Sequence, residues 1–434
     1  MLSHKKIGLA LSGGGYRAAI YHLGTLKKLN QLGILQQIDR MSTISGGSIT
    51  GAAYCLHQGA FEDFEQKMFT KLTSKNVIRY ILTSWKFIRL ALFALVSIGL
   101  AVYLQFTPFA PYSILIIILF FYLLIKYQFK LFPTSTIIEE AYDEFFFSDA
   151  VLSNLCDKPE LAIGSTNLQT LRQFTFSKRK MEDSKYAYLN PPVLFEGSQF
   201  PVSRAVIASS CVPFAFTPIV IDKAFYKVPE QYGTVNPKLV DGGVYDNQGA
   251  HKLTQKNSSY RCDIVIISDA GDKLPFDKAY NNTFTLLLRA VDTFMTRIKH
   301  FQMVQNIYGD NEIAVSFQSI GWDLDSCISG FYSNLKNGKI SKELCELHSL
   351  DNSWITNATE FKTEIIKHLQ ERYNYEQIKA VGLTTAQLEG IRNVGTNLTP
   401  IKKELAKNLI AHAAQITELQ VRLYCPQLIQ NHAI

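Results

Sequence analysis

The stretch from Ile7 to Gly51 leaves this chain few folds to choose from. Five apolar residues, 7–11, run straight into Ser12-Gly13-Gly14-Gly15. Ala18, Ile20, Leu23, Leu26, Leu29 and Leu32 then recur at helical spacing until Gly33 stops them. A second apolar run, around residues 41–44, opens onto Ser45-Gly46-Gly47. Strand, glycine loop, helix, strand and sharp serine turn make one βαβ unit, the building block of an α/β sheet with helices on its faces.

Each half of the unit has a chemical reading. Successive glycines at a helix start let backbone N–H groups converge on one small volume, a site for a phosphate or for the oxyanion of an acyl-transfer intermediate. A serine between strand and helix, with glycine two residues on, has the form of a nucleophile elbow. Taken singly, the glycines also fit a nucleotide loop and Ser45 also fits a helix cap. No Gly-Lys-Ser/Thr follows the glycines, and their spacing is not G-x-G-x-x-G, which argues against a nucleotide. The two signals within one βαβ unit favour acyl chemistry.

Ser12-Gly13-Gly14-Gly15-Tyr16-Arg17-Ala18, then Ile44-Ser45-Gly46-Gly47-Ser48, then Ala208-Ser209-Ser210-Cys211-Val212-Pro213 and Val240-Asp241-Gly242-Gly243 together resemble the patatin-like phospholipases. The resemblance covers about residues 5–60 and 140–270. It implies a three-layer α/β hydrolase fold of the patatin type, with Ser45 as nucleophile and Asp241 as general base in a Ser-Asp dyad that dispenses with histidine. It implies an oxyanion hole from Gly13, Gly14 and Gly15, and neither metal nor cofactor. Arg17, just inside the helix, either orients the glycine loop, meets a lipid phosphate or lies exposed on the surface.

The elbow departs from Gly-x-Ser-x-Gly: Thr43 stands where the first glycine belongs. The turn must open slightly, or Thr43 must face away from the helix. Ser48 is the rival nucleophile, and Asp269, at the end of the apolar strand 262–269, is the back-up acid. A Ser-His-Asp mechanism would draw on His251, His300, His348, His368 or His412, none of which sits in a recognisable motif. H-E-x-x-H and calcium-loop spacings are absent from the sequence.

A chain of 434 residues can bury a large core. Its net charge of +7 suits an anionic membrane surface, and without a zinc-finger pattern or a dense Lys/Arg stripe it gives nucleic acid no support. Seven scattered cysteines without a C-x-x-C pair argue for a reducing compartment and against a disulfide scaffold. Lys5-Lys6 before apolar residues mimics a signal peptide, but the run is short and ends in the glycine loop, so it reads as the first core strand.

The apolar balance is uneven. Residues 87–110 carry one charge, Arg89, and 112–125 are almost wholly apolar, with Pro108 and Pro111 between. A spanning helix needs roughly 20 apolar residues. The first run meets this, and the second meets it only with Phe109 and Tyr127 included. The expectation is a membrane hairpin, spanning or re-entrant. Lys86 and Arg89 at one end and Lys126 and Lys130 at the other place both ends, and the catalytic parts, on the cytoplasmic side. Lys67, Lys71, Lys75 and Arg79, four residues apart, form either a basic face beside that membrane or a solvated helix face.

Four regions are expected: residues 1–60 and 132–320 as the two parts of the catalytic domain, 61–131 as basic stretch and hairpin insert, and 321–434 as a mostly helical region capping the sheet. The expected function is a membrane-anchored lipid acyl hydrolase of phospholipase A or lysophospholipase type. Its alternatives are an inactive lipid-binding or scaffold protein and an acyltransferase on the same fold.

Overall fold

The computed structural model describes residues 5–271, 280–308 and 312–429. The chain opens with β1 (Ile7–Leu11), α1 (Gly15–Gln31), β2 (Arg40–Ile44) and α2 (Gly46–Leu56). Then come α3 (Phe61–Ser74), α4 (Val77–Thr83), the long apolar helices α5 (Trp85–Leu104) and α6 (Tyr112–Leu131), and α7 (Thr134–Tyr142). The sheet resumes with β3 (Glu160–Asn167), β4 (Arg172–Phe176) and β5 (Met181–Glu182). After the helix Val202–Ser210 come β6 (Ile219–Val220), β7 (Lys238–Asp241), β8 (Ile264–Asp269), the helix Thr283–Tyr308 and β9 (Ala314–Ser319). Helices fill the remainder and end with Lys403–Tyr424.

The strands join in the order β5-β4-β3-β2-β1-β8-β9, with β7 pairing both β3 and β6. β1, β2, β3, β8 and β9 are parallel, β4 and β7 run against them, and β5, antiparallel to β4, runs with them. Alternation along the strands feeds two cores. Leu9 and Leu11 of β1 and Ile266 of β8 face α1, α2 and the Lys403–Tyr424 helix, while Ala10, Val265 and Ile267 join Val315, Phe317 and Tyr260 on the other face. The result is the three-layer α/β architecture expected.

The C-terminal helix packs into the main body, over the sheet. It lies along α1 so closely that a Cβ on Gly24 would overlap the Ile410 carbonyl and come within 2.8 Å of Ala413 Cβ. Lys28 pairs with Glu418 at 2.7 Å along the same seam. The helices of 324–378 pack a second apolar cluster, with Phe331, Ile365 and Leu369, on Ile416, Leu419 and Leu423 of that helix.

β7 explains how distant motifs meet. Along β3, β2 pairs with residues 160–164 and β7 with 165–167, both on the side opposite β4. β7 therefore occupies the lane that β2 leaves when it turns at Ile44. The strands approach head-on, with Ile44 beside Gly164 and Asp241 beside Ser165.

Outside this body, α5 and α6 form an antiparallel hairpin. Phe93 meets Phe120 at 5.5 Å between ring centroids, and Gln105 hydrogen-bonds Ser113 near the turn. Leu95 is 69% exposed and Ile125 70%. α6 extends through Tyr127, so the second run reaches 20 residues, the same length as the first helix. Two helices long and apolar enough to cross a membrane stand uncovered by the rest of the described chain.

One expectation needs correction. Lys67 to Arg79 do not line one helix, because the chain breaks at Lys75-Asn76, where the Asn76 side chain caps α4 by accepting from Arg79 N–H at 3.0 Å.

Candidate active site

Ser45 sits at φ 49°, ψ −120°, a backbone conformation that non-glycine residues rarely adopt. The strain is held by close packing on both sides. A Cβ on Gly46 would overlap the Gly15 carbonyl oxygen, and one on Gly47 would lie 2.5 Å from that of Leu11. Gly47 N–H donates to Ser12 O at 3.1 Å, joining elbow to glycine loop. Thr43 is absorbed from the far side: its Cγ2 occupies the space where a side chain on Gly51 would begin, 2.6 Å from that Cβ position. The glycine missing before the serine is thus matched by one six residues after it.

Across the head-on junction, the Ser45 side chain lies beside the Asp241 carboxylate, near enough to favour its charged form. Asp241 Oδ1 also accepts from Gly243 N–H at 2.7 Å. Burial pushes the carboxyl up to about 6 from its ordinary 3.8, against the Gly243 N–H and the neighbouring Ser45 hydroxyl, which favour the charged form. It is a stronger base than an exposed aspartate and still ionised at neutral pH.

Ser209, on the last turn of the helix Val202–Ser210, holds both sides of the pair. Its Oγ accepts from Ser45 N–H at 2.9 Å and donates to Gly164 O at 2.5 Å, while its carbonyl accepts from Gly242 N–H at 3.1 Å. The sequence motif contained Ser209, but its spacing carried no sign of this role, because the contacts span 164 residues and depend on β7 entering the β2 lane.

In the glycine loop, Gly14 lies at φ 143° and Gly15 at φ 58°. Among the described residues, their N–H groups have no acceptor. Gly13 differs: its N–H donates to Asn247 O at 3.0 Å, and a Cβ there would overlap the Asn247 side chain. The loop after Asp241 therefore braces the glycines, itself folded around Asp246, whose carboxylate accepts from Gln248 N–H at 3.1 Å and His251 N–H at 2.8 Å. Gly249 lies at φ 70°, and a Cβ there would stand 3.1 Å from the Ser42 carbonyl oxygen.

Arg17 is buried rather than exposed. Its guanidinium donates to Val394 O and Ala270 O, both at 2.9 Å, and so ties the start of α1 to the end of β8 and to the loop before the C-terminal helix. Of its three readings, loop support fits this geometry.

The rivals are accounted for. Ser48 is fully buried and bonded to Thr43 Oγ1 and Ser209 Oγ, each at 3.1 Å. Asp269 pairs with Lys299 at 2.5 Å. Among the described residues, no histidine hydrogen-bonds Ser45. His251 meets Tyr245 OH at 3.3 Å, His348 meets Tyr373 OH at 2.6 Å, His368 reaches the His348 carbonyl and His412 that of Ile320. His22, which links Ser12 O to Ser268 Oγ beneath the glycine loop, is pushed down to about 4 by burial and stays neutral. Also among the described residues, no three His, Cys, Asp or Glu side chains converge as a metal site.

A strained serine beside a buried carboxylate, under a glycine loop with free N–H groups, has the layout of an acyl hydrolase. Residues 9–253, more than half the chain, match the family model described as patatin-like phospholipase, and the chain belongs to that family. Membership in that family supports a lipid acyl hydrolase, with lipid as the substrate class. A search among curated proteins gave no match. Among solved structures, VipD from Legionella pneumophila is similar at 13% identity, with 99% of this chain and 92% of that one covered and a TM-score of 0.31. Human GIVD cytosolic phospholipase A2 is similar at 14% identity and a TM-score of 0.46, with 98% of this chain but 62% of that one covered. This chain thus spans about three fifths of the human enzyme's chain.

Proposed function

We propose that this protein is a membrane-anchored serine lipid acyl hydrolase of phospholipase A or lysophospholipase type, working through Ser45 and Asp241. Ser45 Oγ attacks the ester carbonyl while Asp241 takes the hydroxyl proton and returns it to the leaving alcohol. Gly14 and Gly15 donate to the oxyanion, a contribution of roughly 3 kcal/mol per donor. Gly13 keeps the loop in place through Asn247. Water, activated by the same carboxylate, then releases the fatty acid. The α5–α6 hairpin holds the catalytic body at the bilayer, on the cytoplasmic side by the placement of Lys86, Arg89, Lys126 and Lys130.

The observation that carries this reading is the placement of Ser45, at φ 49°, beside a buried carboxylate raised to about 6. Ordinary helix-capping serines have neither the strain nor the base. The test is labelling by a fluorophosphonate followed by peptide mass spectrometry. The expected adduct is on the peptide containing Ser45 and is lost in Ser45→Ala. An adduct on Ser48, or a folded protein that takes no label, contradicts the dyad.

A further inference from the structure

Two large apolar side chains are held outward by backbone that disfavours them. Leu171 lies at φ 57° and is 75% exposed, and Phe214 lies at φ 71° and is 58% exposed. Left-handed backbone is costly for any side chain beyond Cβ, and asparagine or glycine would sit there more easily. Neither residue recovers that cost by burial.

Both lie on the catalytic edge. β3 runs past the level of Asp241, which pairs with Ser165, so the β3–β4 turn carrying Leu171 stands above the site as a rim. Phe214 follows the helix end at Ser209 that holds Ser45 and Gly242. The same loop continues to Thr217, whose N–H donates to Thr134 Oγ1 at 3.0 Å, at the foot of the apolar hairpin. The helix Thr283–Tyr308 adds a third side: Met295 Cε lies 3.0 Å from where a Cβ on Gly243 would stand, next to Asp241. On this helix Leu287, Phe294 and Phe301 recur every seven residues and are 46%, 62% and 66% exposed, one apolar stripe along the helix.

We propose that this rim is the surface on which the protein lies against the lipid bilayer, with Leu171, Phe214 and the 287–294–301 stripe entering the interface around the Ser45–Asp241 pair. The occupant is a phospholipid bilayer, because the rim is continuous with the foot of a hairpin whose apolar helices are uncovered by the described chain, and because apolar side chains ringing a polar site suit a headgroup boundary. A lipid then reaches Ser45 by sliding up partway, without crossing water. This rests on the membrane-hydrolase reading above and specifies the face that meets the membrane.

The test compares the native chain with Leu171→Ser/Phe214→Ser on two substrates: phospholipid in phosphatidylcholine vesicles and a dissolved short-chain p-nitrophenyl ester. The expected result is at least a tenfold loss on vesicles with ester hydrolysis within twofold of native. Unchanged vesicle rates overturn the proposal, and so does a parallel loss on both substrates, which would place these residues in the active site itself. Native protein inactive on both substrates would count against the hydrolase reading alone. The surface is then decided by fluorescence of Phe214→Trp in a Trp85→Phe background, with vesicles of brominated phosphatidylcholine. Quenching of the added tryptophan supports the rim at the interface, and none overturns it.

Discussion

The catalytic edge and the hairpin are built on opposite terms. Around Ser45 the elbow is held by its neighbours: Ser48, Thr43, Ser209 and the Gly47 N–H each have a partner, and glycines such as Gly46 and Gly47 let backbones approach to distances no side chain survives. Around α5 and α6, the Gln105–Ser113 hydrogen bond and the Phe93–Phe120 ring contact join the two helices, and most of their outward apolar residues are exposed. The first region is specified by its neighbours and is intolerant of volume. On the proposed membrane anchoring, the second is specified by the lipid around it, and should tolerate apolar exchange while rejecting charge. The difference teaches where each kind of substitution should act.

The largest effect is expected at the close approaches. Gly46→Ala places a methyl on the Gly15 carbonyl, in the wall between elbow and glycine loop. Overpacking of this sort costs about 1–3 kcal/mol or more, and here it also displaces the nucleophile. Activity should fall by about 100-fold or more, with a lower melting temperature in the same preparation. An active, native-stability variant would show the edge to be softer than its packing.

Next comes the hairpin. Leu95→Arg puts a charge on its exposed apolar face, at a cost of about 2.5–3.5 kcal/mol if that face meets hydrocarbon. Membrane partition measured by flotation should drop by roughly 100-fold, with hydrolysis of a dissolved ester retained. Equal partition would mean that this face does not contact lipid, and the contrast between the regions would fail.

A smaller effect belongs to Ser209→Ala. It removes the acceptor for Ser45 N–H and the donor to Gly164 O, leaving buried groups unpaired at about 1–3 kcal/mol. The expected signature is roughly a tenfold lower kcat with KM nearly unchanged, since Ser209 positions the elbow and does not touch substrate. A change confined to KM would assign it to substrate binding instead.

The smallest is in pH. The Asp241 carboxyl is raised by burial, so its basic form is present above about 6 and kcat/KM should fall about tenfold per pH unit below it. The sign for stability is the reverse of the usual salt-bridged aspartate. The folded chain holds the proton more tightly than the unfolded one, so stability is greatest below pH 3.8 and declines as pH rises to about 6. Asp241→Asn removes a buried charge and should therefore raise the melting temperature at pH 7 while activity is lost. A lower melting temperature would show that the hydrogen bonds to Asp241 outweigh its burial.

Much of the sheet could be read from the chain because it is local. The 7–11 run, the glycines, the periodic leucines and Ser45 are neighbours in sequence, and each element's period announces it. The hairpin was legible for the same reason. Asp241 was legible only by resemblance, since Asp-Gly marks a turn anywhere. What stayed hidden depends on long-range register. No spacing reveals that β7 enters the lane β2 vacates, that Ser209 reaches back to Ser45, or that Arg17 is buried against Ala270 and Val394. The Lys67–Arg79 spacing misled because periodicity takes no account of Asn76 as a cap. Thr43 looked like a defect until Gly51 was seen opposite it.

The most direct measurement is fatty-acid release from phospholipid vesicles by the native chain, Ser45→Ala and Asp241→Asn, with folding checked by circular dichroism. The account predicts release by the native protein and a loss of about 1,000-fold or more in both variants with the fold intact. Release that survives Ser45→Ala would contradict it.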